Sequence, residues 1–360
     1  GKWHMGNDGM PRPGYDHWVS YDGHGKLMDP VLNHDGRYRR HEGYITDIMN
    51  DLAVAFLEKK RAKPFSLFFA HKAVHPDAEQ AADGSLTISA QGGYVVAPRH
   101  RNLYRRAVFP KTPNMLSPAE VVANKPAWKE CFDLKEGKPA RKVLKALMAG
   151  TQEEIRLRAR MMAAVDEGVG RILATLEATG QLDNTCIVFL GDNGYFFGEH
   201  ALGPERRFAY EDGIRSPFAV RFPPLVKAGA VRDQLVICQD IAPTFIELAG
   251  GKPGPQVQGR SMIPLFRSAR AKLRSSVLVE YWAEQAMPWL VGMTYKAIRT
   301  DRYKYIHWVN RGIAGELDEL YDLEADPWEL KNLNGSAKHA AVKAKLRREL
   351  GVLVREALGL

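Results

Sequence analysis

Apolar positions along the chain fall into two regimes. Ile45, Ile48, Leu52 and Phe56 follow helical spacing, and Pro64 marks the stop. Residues 65–70 form a short apolar run that predicts a strand. Thr151 and Glu154 make a capping box for a second helix, which places Ile155, Ala159, Met162, Val169, Ile172 and Leu176 on one face and ends near Gly180. The run from Cys186 through Leu190 reads as a buried central strand ended by Gly191. A further strand is expected over 217–222, then a helix after Asp240 that ends at Gly250-Gly251. This helix–strand alternation predicts an α/β fold, a mostly parallel sheet flanked by helices. Residues 1–43 read as loops and 77–140 as a long surface excursion. After about residue 270 the pattern changes to short β-like runs at 277–282, 295–300, 303–309 and 320–323. A last helix has Val342, Leu346, Leu350 and Val354 at i, i+4 spacing. The expected organisation is an α/β domain over 1–268 and a small antiparallel-sheet plus helix subdomain over 269–360.

Composition narrows the function classes. Apolar content of 45% and charged content of 26% are ordinary for a globular protein. No apolar run approaches the ~18–20 residues that span a bilayer, so no membrane span is expected. The net charge of +9 favours anionic partners. The basic residues are scattered, with much of the excess in helical stretches such as 338–348, and no nucleic-acid motif accompanies them. An anionic small molecule or polysaccharide fits, and nucleic acid is not expected. Arg99, His100, Arg101, Arg105 and Arg106 are candidates for lining an anionic glycan cleft. Cys131, Cys186 and Cys238 form neither a metal-spacing pattern nor a disulfide framework, and the last two read as core residues. Nothing in the sequence fixes the oligomeric state.

Three loops concentrate polar chemistry. In Gly191-Asp192-Asn193-Gly194 an acid and an amide sit where the central strand stops, the place where open α/β sheets bind ligands. Their hard oxygens suit Mg²⁺ or Ca²⁺ better than zinc. Lys2 and His4 flank Trp3, an anion clamp beside a proton-transfer group. His75 follows the 65–70 run and is placed to protonate a leaving oxygen.

Taken together these segments resemble the sulfatase family of the alkaline-phosphatase superfamily. Gly1-Lys2-Trp3-His4-Met5-Gly6 is similar to the second sulfatase signature, and His71-Lys72-Ala73-Val74-His75 to the segment with the family's second histidine. Gly191-Asp192-Asn193-Gly194 through Gly198-Glu199-His200, then Tyr210-Glu211 and Arg215-Ser216-Pro217, are similar to the metal loop and its sequel. Asp240-Ile241-Ala242-Pro243-Thr244 and the stretch from Leu320 to Pro327 also match. The resemblance implies an alkaline-phosphatase-like fold and hydrolysis of a sulfate ester, with a sulfated saccharide as substrate and a periplasmic or secreted location. It implies a formylglycine nucleophile, made from Cys or Ser, and Ca²⁺. Lys2 and Arg206 would bind sulfate, His4 and His75 would be catalytic, and Asp192 and Asn193 would be metal ligands.

Two departures qualify that expectation. None of the three cysteines fits the modification motif, and the family's early Asp-Asp pair is absent, so the nucleophile and further metal ligands are expected upstream of Gly1. These 360 residues alone are therefore expected to be inactive. The family's usual sulfate-binding lysine is also missing, and Glu205-Arg206-Arg207 stands in its place. A phosphodiester or phosphonate monoester hydrolase of the same superfamily is the alternative enzyme. A non-catalytic glycan-binding relative is the third.

Overall fold

In the computed structural model the described residues are 1–80, 86–88, 93–128, 152–203, 205–282, 293–309 and 315–360. Cys131 and the Thr151 half of the expected capping box lie outside them. The elements in chain order are strands β1 (Val19–Ser20), β2 (Val31–His34) and β3 (Arg37–Arg40), helix α1 (Ile45–Glu58), strands β4 (Ala78–Gln80) and β5 (Leu86–Ile88), and helices α2 (Pro118–Asn124) and α3 (Gln152–Ala178). Then come β6 (Ile187–Leu190), α4 (Glu211–Ile214), β7 (Phe218–Arg221), α5 (Ile241–Leu248) and α6 (Ile263–Arg267). The chain closes with β8 (Ser276–Tyr281), β9 (Tyr295–Thr300), β10 (Tyr303–Trp308), β11 (Glu319–Asp322) and α7 (Ala340–Leu358). Contacts divide the chain into one unit of residues 1–110 and 151–185 and another of 111–150 and 186–360.

In the first unit α1 packs on α3. Both helices form where the periodicity placed them, each rotated from the expected face. The buried positions of α1 are Ile45, Met49, Ala53 and Leu57, while those of α3 include Met161, Ala164, Val165 and Gly168, leaving Met162 41% exposed. Gly168 explains the rotation. A Cβ there would lie 2.1 Å from Asn50, so the helices approach closely at a glycine and an amide beside the apolar packing of Ile45, Met49, Met161 and Ala164. Asn50 Nδ2 donates to the Ala164 carbonyl at 3.1 Å, which satisfies the buried amide. Gly180 closes α3 at φ +69, the left-handed conformation that glycine adopts without penalty. Residues 1–43 are not all loops. β1, β2 and β3 form an antiparallel sheet, and β2 and β3 meet at Asp35-Gly36, both at positive φ as a tight hairpin requires.

In the second unit α7 packs on the four-stranded antiparallel sheet β11-β10-β9-β8 through Ile298, Tyr305, Leu320, Leu346 and Leu350. Gly359 caps α7 at φ +72. β6 pairs antiparallel with β7, with Val188 opposite Val220. The strand ladders among the described residues are all antiparallel, and the apolar run 65–70 joins none, although Ala70 accepts a hydrogen bond from the Lys2 amide. β6 is less buried than its composition predicts, since Phe189 is 41% exposed, and on β7 Phe218, opposite Leu190, is 37% exposed. The thiols also depart from expectation: Cys186 is half-buried and Cys238 exposed, so neither belongs to the core.

The core of this unit is ionic as well as apolar. Lys304 on β10 is fully buried, and its Nζ lies 2.8 Å from both Glu211 and Glu329. Burial pushes the Glu211 carboxyl up, but Lys304 and Arg299 outweigh it and hold the pKa at about 2. Beside this set Lys125 donates to the Tyr321 hydroxyl and stands over the Tyr210 ring, while Glu319 accepts from Tyr210, Tyr321 and Trp308. Removing one member of a buried ion set strands its partners, at a cost of about 3–5 kcal/mol. Lys304→Met should therefore lower stability by that amount in urea unfolding. Arg171→Ala removes the partner of Asp51 at a pair exposed on both sides and should leave the midpoint almost unchanged. Equal effects of the two substitutions would show that the buried charges are not structural.

Candidate active site

Lys2, His4 and His75 belong to the first unit. Trp3 is held by edge-on contacts with Tyr15, Trp18 and Phe68, which fixes the segment that bears Lys2 and His4. His4 adopts φ +53, a conformation that a side chain with a Cβ seldom takes and that marks functional segments. Its ring lies 4.5 Å from that of His24, and His24 stacks on His75 at 4.5 Å. Three imidazoles thus form a row with the buried His24 in the middle. Lys72 ties the His24 and His75 segments together: its buried Nζ donates to the His24 carbonyl at 2.8 Å and the Pro76 carbonyl at 3.1 Å, with Asp77 at 3.6 Å. Burial lowers the Lys72 pKa to about 8 against the pull of Asp77.

His75 Nδ1 faces the Pro76 carbonyl at 2.8 Å. The neutral tautomer with the proton on Nδ1 satisfies that carbonyl and leaves Nε2 as the acceptor. Burial lowers the His75 pKa to about 3, and Lys2, His24 and Lys72 add to the effect. An anion bound here would offset those cations and favour the imidazolium, the form able to donate to a leaving oxygen.

Asp192, Asn193 and Arg206 belong to the second unit. Gly191 N donates to the Pro217 carbonyl and Gly194 N to that of Gly213, both at 3.0 Å, so the loop is fastened at each end. Asp192 is exposed, and Asn193 donates through Nδ2 to the Gly194 carbonyl at 2.6 Å, which leaves its Oδ1 as the oxygen donor. These hard oxygens fit Ca²⁺ in kind. They are too few for its six to eight ligands, and among the described residues no group of three His, Cys, Asp or Glu side chains completes a metal site.

Glu205 separates the two arginines. Its buried carboxylate accepts from the backbone amides of Arg206 and Arg207 and from the Arg207 guanidinium at 3.0 Å. Arg207 is thereby committed to structure. Among the described residues no carboxylate pairs with the half-buried Arg206 guanidinium, which keeps it as the anion-binding candidate of the two. His200 lies elsewhere in function: fully buried against Tyr210 and held by Asn114, it is a core residue that burial keeps neutral. Arg99 and His100 do not line a cleft either, because Arg99 binds Asp47 and Glu167 and His100 binds Glu167. The sequence did not single out His24 or give Lys72 a role. Its one signal for His24 is Gly23-His24-Gly25, whose glycines take φ +51 and +63.

Comparison with known proteins meets these two constellations from the outside. The sulfatase family profile matches residues 1–251. The chain belongs to the sulfatase family. The profile of the N-sulphoglucosamine sulphohydrolase C-terminal region matches residues 198–356. An N-acetylglucosamine-6-O-sulfatase of Bacteroides thetaiotaomicron is 29% identical over 99% of this chain and 69% of its own length. The N-acetylglucosamine-6-sulfatase of Capra hircus is 25% identical over 89% of this chain and 58% of its own. This sulfatase chain thus spans little more than half to two-thirds of those relatives. A protein solved in complex with its substrate D-glucosamine-2-N,6-O-disulfate superposes with a TM-score of 0.76 at 27% identity, covering 96% of this chain and 77% of that one. The fold is that of the sulfatases, alkaline-phosphatase-like with a C-terminal antiparallel sheet.

The histidine row gives a pH dependence. Unfolded His75 titrates near 6.5 and folded His75 at about 3, so between those values the unfolded chain binds more protons. Stability should fall as pH drops through that window, with His71, lowered by burial to about 4, adding to the slope. His75→Gln should flatten the difference between urea unfolding at about pH 7.5 and about pH 4.5. An unchanged slope would mean that His75 is solvated and that the row does not hold it neutral.

Proposed function

We propose that this chain supplies the binding and proton-transfer residues of a sulfatase acting on a sulfated carbohydrate, with N-acetylglucosamine 6-sulfate units of glycosaminoglycan or mucin chains as substrate. The observation that supports it most directly is the row of His4, His24 and His75 with Lys72, in a chain whose relatives bear the name N-acetylglucosamine-6-sulfatase. In this proposal Lys2 and Arg206 neutralise sulfate oxygens, and His75 passes a proton to the leaving sugar oxygen. His4, held by its left-handed backbone, assists release of sulfate from the nucleophile. That nucleophile is a formylglycine contributed from outside these residues. Asp192 and Asn193 would hold Ca²⁺ together with further ligands, and the ion would supply positive charge to the sulfate when bound. A periplasmic or secreted location goes with such a substrate.

The arginine assignment is testable in the full-length protein by sulfate release from N-acetylglucosamine 6-sulfate. A charge-assisted contact of about 1.5–3 kcal/mol corresponds to roughly a ten- to hundredfold loss of turnover for Arg206→Ala, with partial rescue by Arg206→Lys. Arg207→Ala should instead lower thermal stability, since it strands the buried Glu205. The reverse pattern would pass the anion clamp to Arg207.

Calcium is tested by calorimetric titration of the same protein. Asp192→Ala removes a charged ligand and should weaken Ca²⁺ more than Asn193→Ala, with neither changing the fold. Unaltered calcium affinity in both variants would leave the loop as a plain turn.

A further inference from the structure

In the second unit a cleft of about 470 Å³ opens between two walls, Glu211, Asp212, Arg215, Ser216 and Pro217 on one side and Pro327 with Trp328 on the other. That is a volume typical of small-ligand sites. Its base is rigid. The Glu211 amide donates to Glu329 at 2.7 Å, and Lys304 bridges the two carboxylates, so the walls are tied together by the buried ion set. Glu329 takes φ +54 next to Trp328, a strained conformation held by those same contacts.

The rim is chemically different from the base. The Arg215 side chain is 76% exposed, and its nearest carboxylate, Glu211, lies 4.0 Å away and is already bound by Lys304 and Arg299. Trp328 is 37% exposed, with part of its indole open to solvent. Asp212 is oriented by Asn114 at 2.8 Å. A flat apolar surface, an uncommitted guanidinium and an oriented carboxylate are together suited to a pyranose ring with an anionic substituent. The wall also anchors the loop of Asp192 and Asn193, through the Pro217 and Gly213 carbonyls.

We propose that this cleft is a subsite for an anionic sugar of the same glycan, other than the sulfated unit that is hydrolysed. Its ring lies on Trp328, its carboxylate or sulfate binds Arg215, and its hydroxyls bond to Asp212 and Ser216. The inference rests on the carbohydrate-sulfatase function and adds to it a preference for oligosaccharides over single sugars.

Calorimetry of the purified protein with a heparin-derived tetrasaccharide and with glucosamine 6-sulfate tests this. Trp328→Ala and Arg215→Ala should each weaken the tetrasaccharide roughly five- to tenfold, and Trp328→Tyr should restore most of the loss. Neither should alter glucosamine 6-sulfate binding, and Arg215→Ala, whose side chain is 76% exposed, should leave the melting temperature unchanged. The Trp328 indole resonance should shift with the tetrasaccharide only. Unchanged tetrasaccharide affinity in both alanine variants overturns the proposal. So does an equal loss for the monosaccharide, which would make the cleft the place of the hydrolysed unit. Sulfate release by the full-length protein is a separate measure: its failure beside tetrasaccharide binding that depends on Trp328 would sink the enzymatic function and leave the subsite standing.

Discussion

An ammonium group shut away from water is tolerated only where carboxylates meet it at hydrogen-bond distance, and Lys304 is such a group. It comes from the centre of the C-terminal sheet, while its partners come from the short helix α4 and from the segment after β11. The set of Lys125, Glu319, Tyr210 and Tyr321 extends the joint to the 118–128 segment. Little in the neighbourhood of Arg215 or Trp328 is fixed by apolar packing alone. These charges decide how α4 and the segment after β11 are held against β10.

The first unit uses the same device with a different outcome. Lys72 is also buried, but two of its three contacts are backbone carbonyls, and only Asp77 offers charge, at 3.6 Å. The weaker compensation shows as a pKa near 8 where a surface lysine sits at 10.5. A lysine so placed orients two loops by hydrogen bonds and adds positive potential to His75. Scaffold and electrostatic tuning therefore reside in one side chain.

The C-terminal sheet and its helix were legible strand by strand, to within one residue, because alternation and i, i+4 spacing act over short range: β9 occupies 295–300 as expected, and Leu346 and Leu350 are buried. The helices α1 and α3 were legible as helices but not in their facing. Their interface is set by Gly168 against Asn50, a steric fit that hydrophobic periodicity does not encode. The hairpin at Asp35-Gly36 was written in the turn residues and hidden by the basic strand that follows, Arg37–Arg40. Within the candidate site, Lys2, His4, His75, Asp192 and Asn193 were singled out by the resemblance of their segments to sulfatase motifs, not by spacing alone. His24 was not, since its place between two other imidazoles depends on Lys72 drawing separate loops together. The choice between Arg206 and Arg207 likewise needed the side chain of Glu205 in three dimensions.

In the loop of residues 191–194, room and chemistry belong to different positions. A Cβ on Gly194 would fall 2.1 Å from the Asp212 carbonyl, and one on Gly191 would fall 2.9 Å from the Pro217 ring, while Asp192 stands in solvent. Folding therefore polices the two glycines and is indifferent to the acid between them. A lineage that no longer needed the reaction would be free to change Asp192 early while keeping its glycines and its shape. The silhouette of the loop can outlive the acid at position 192.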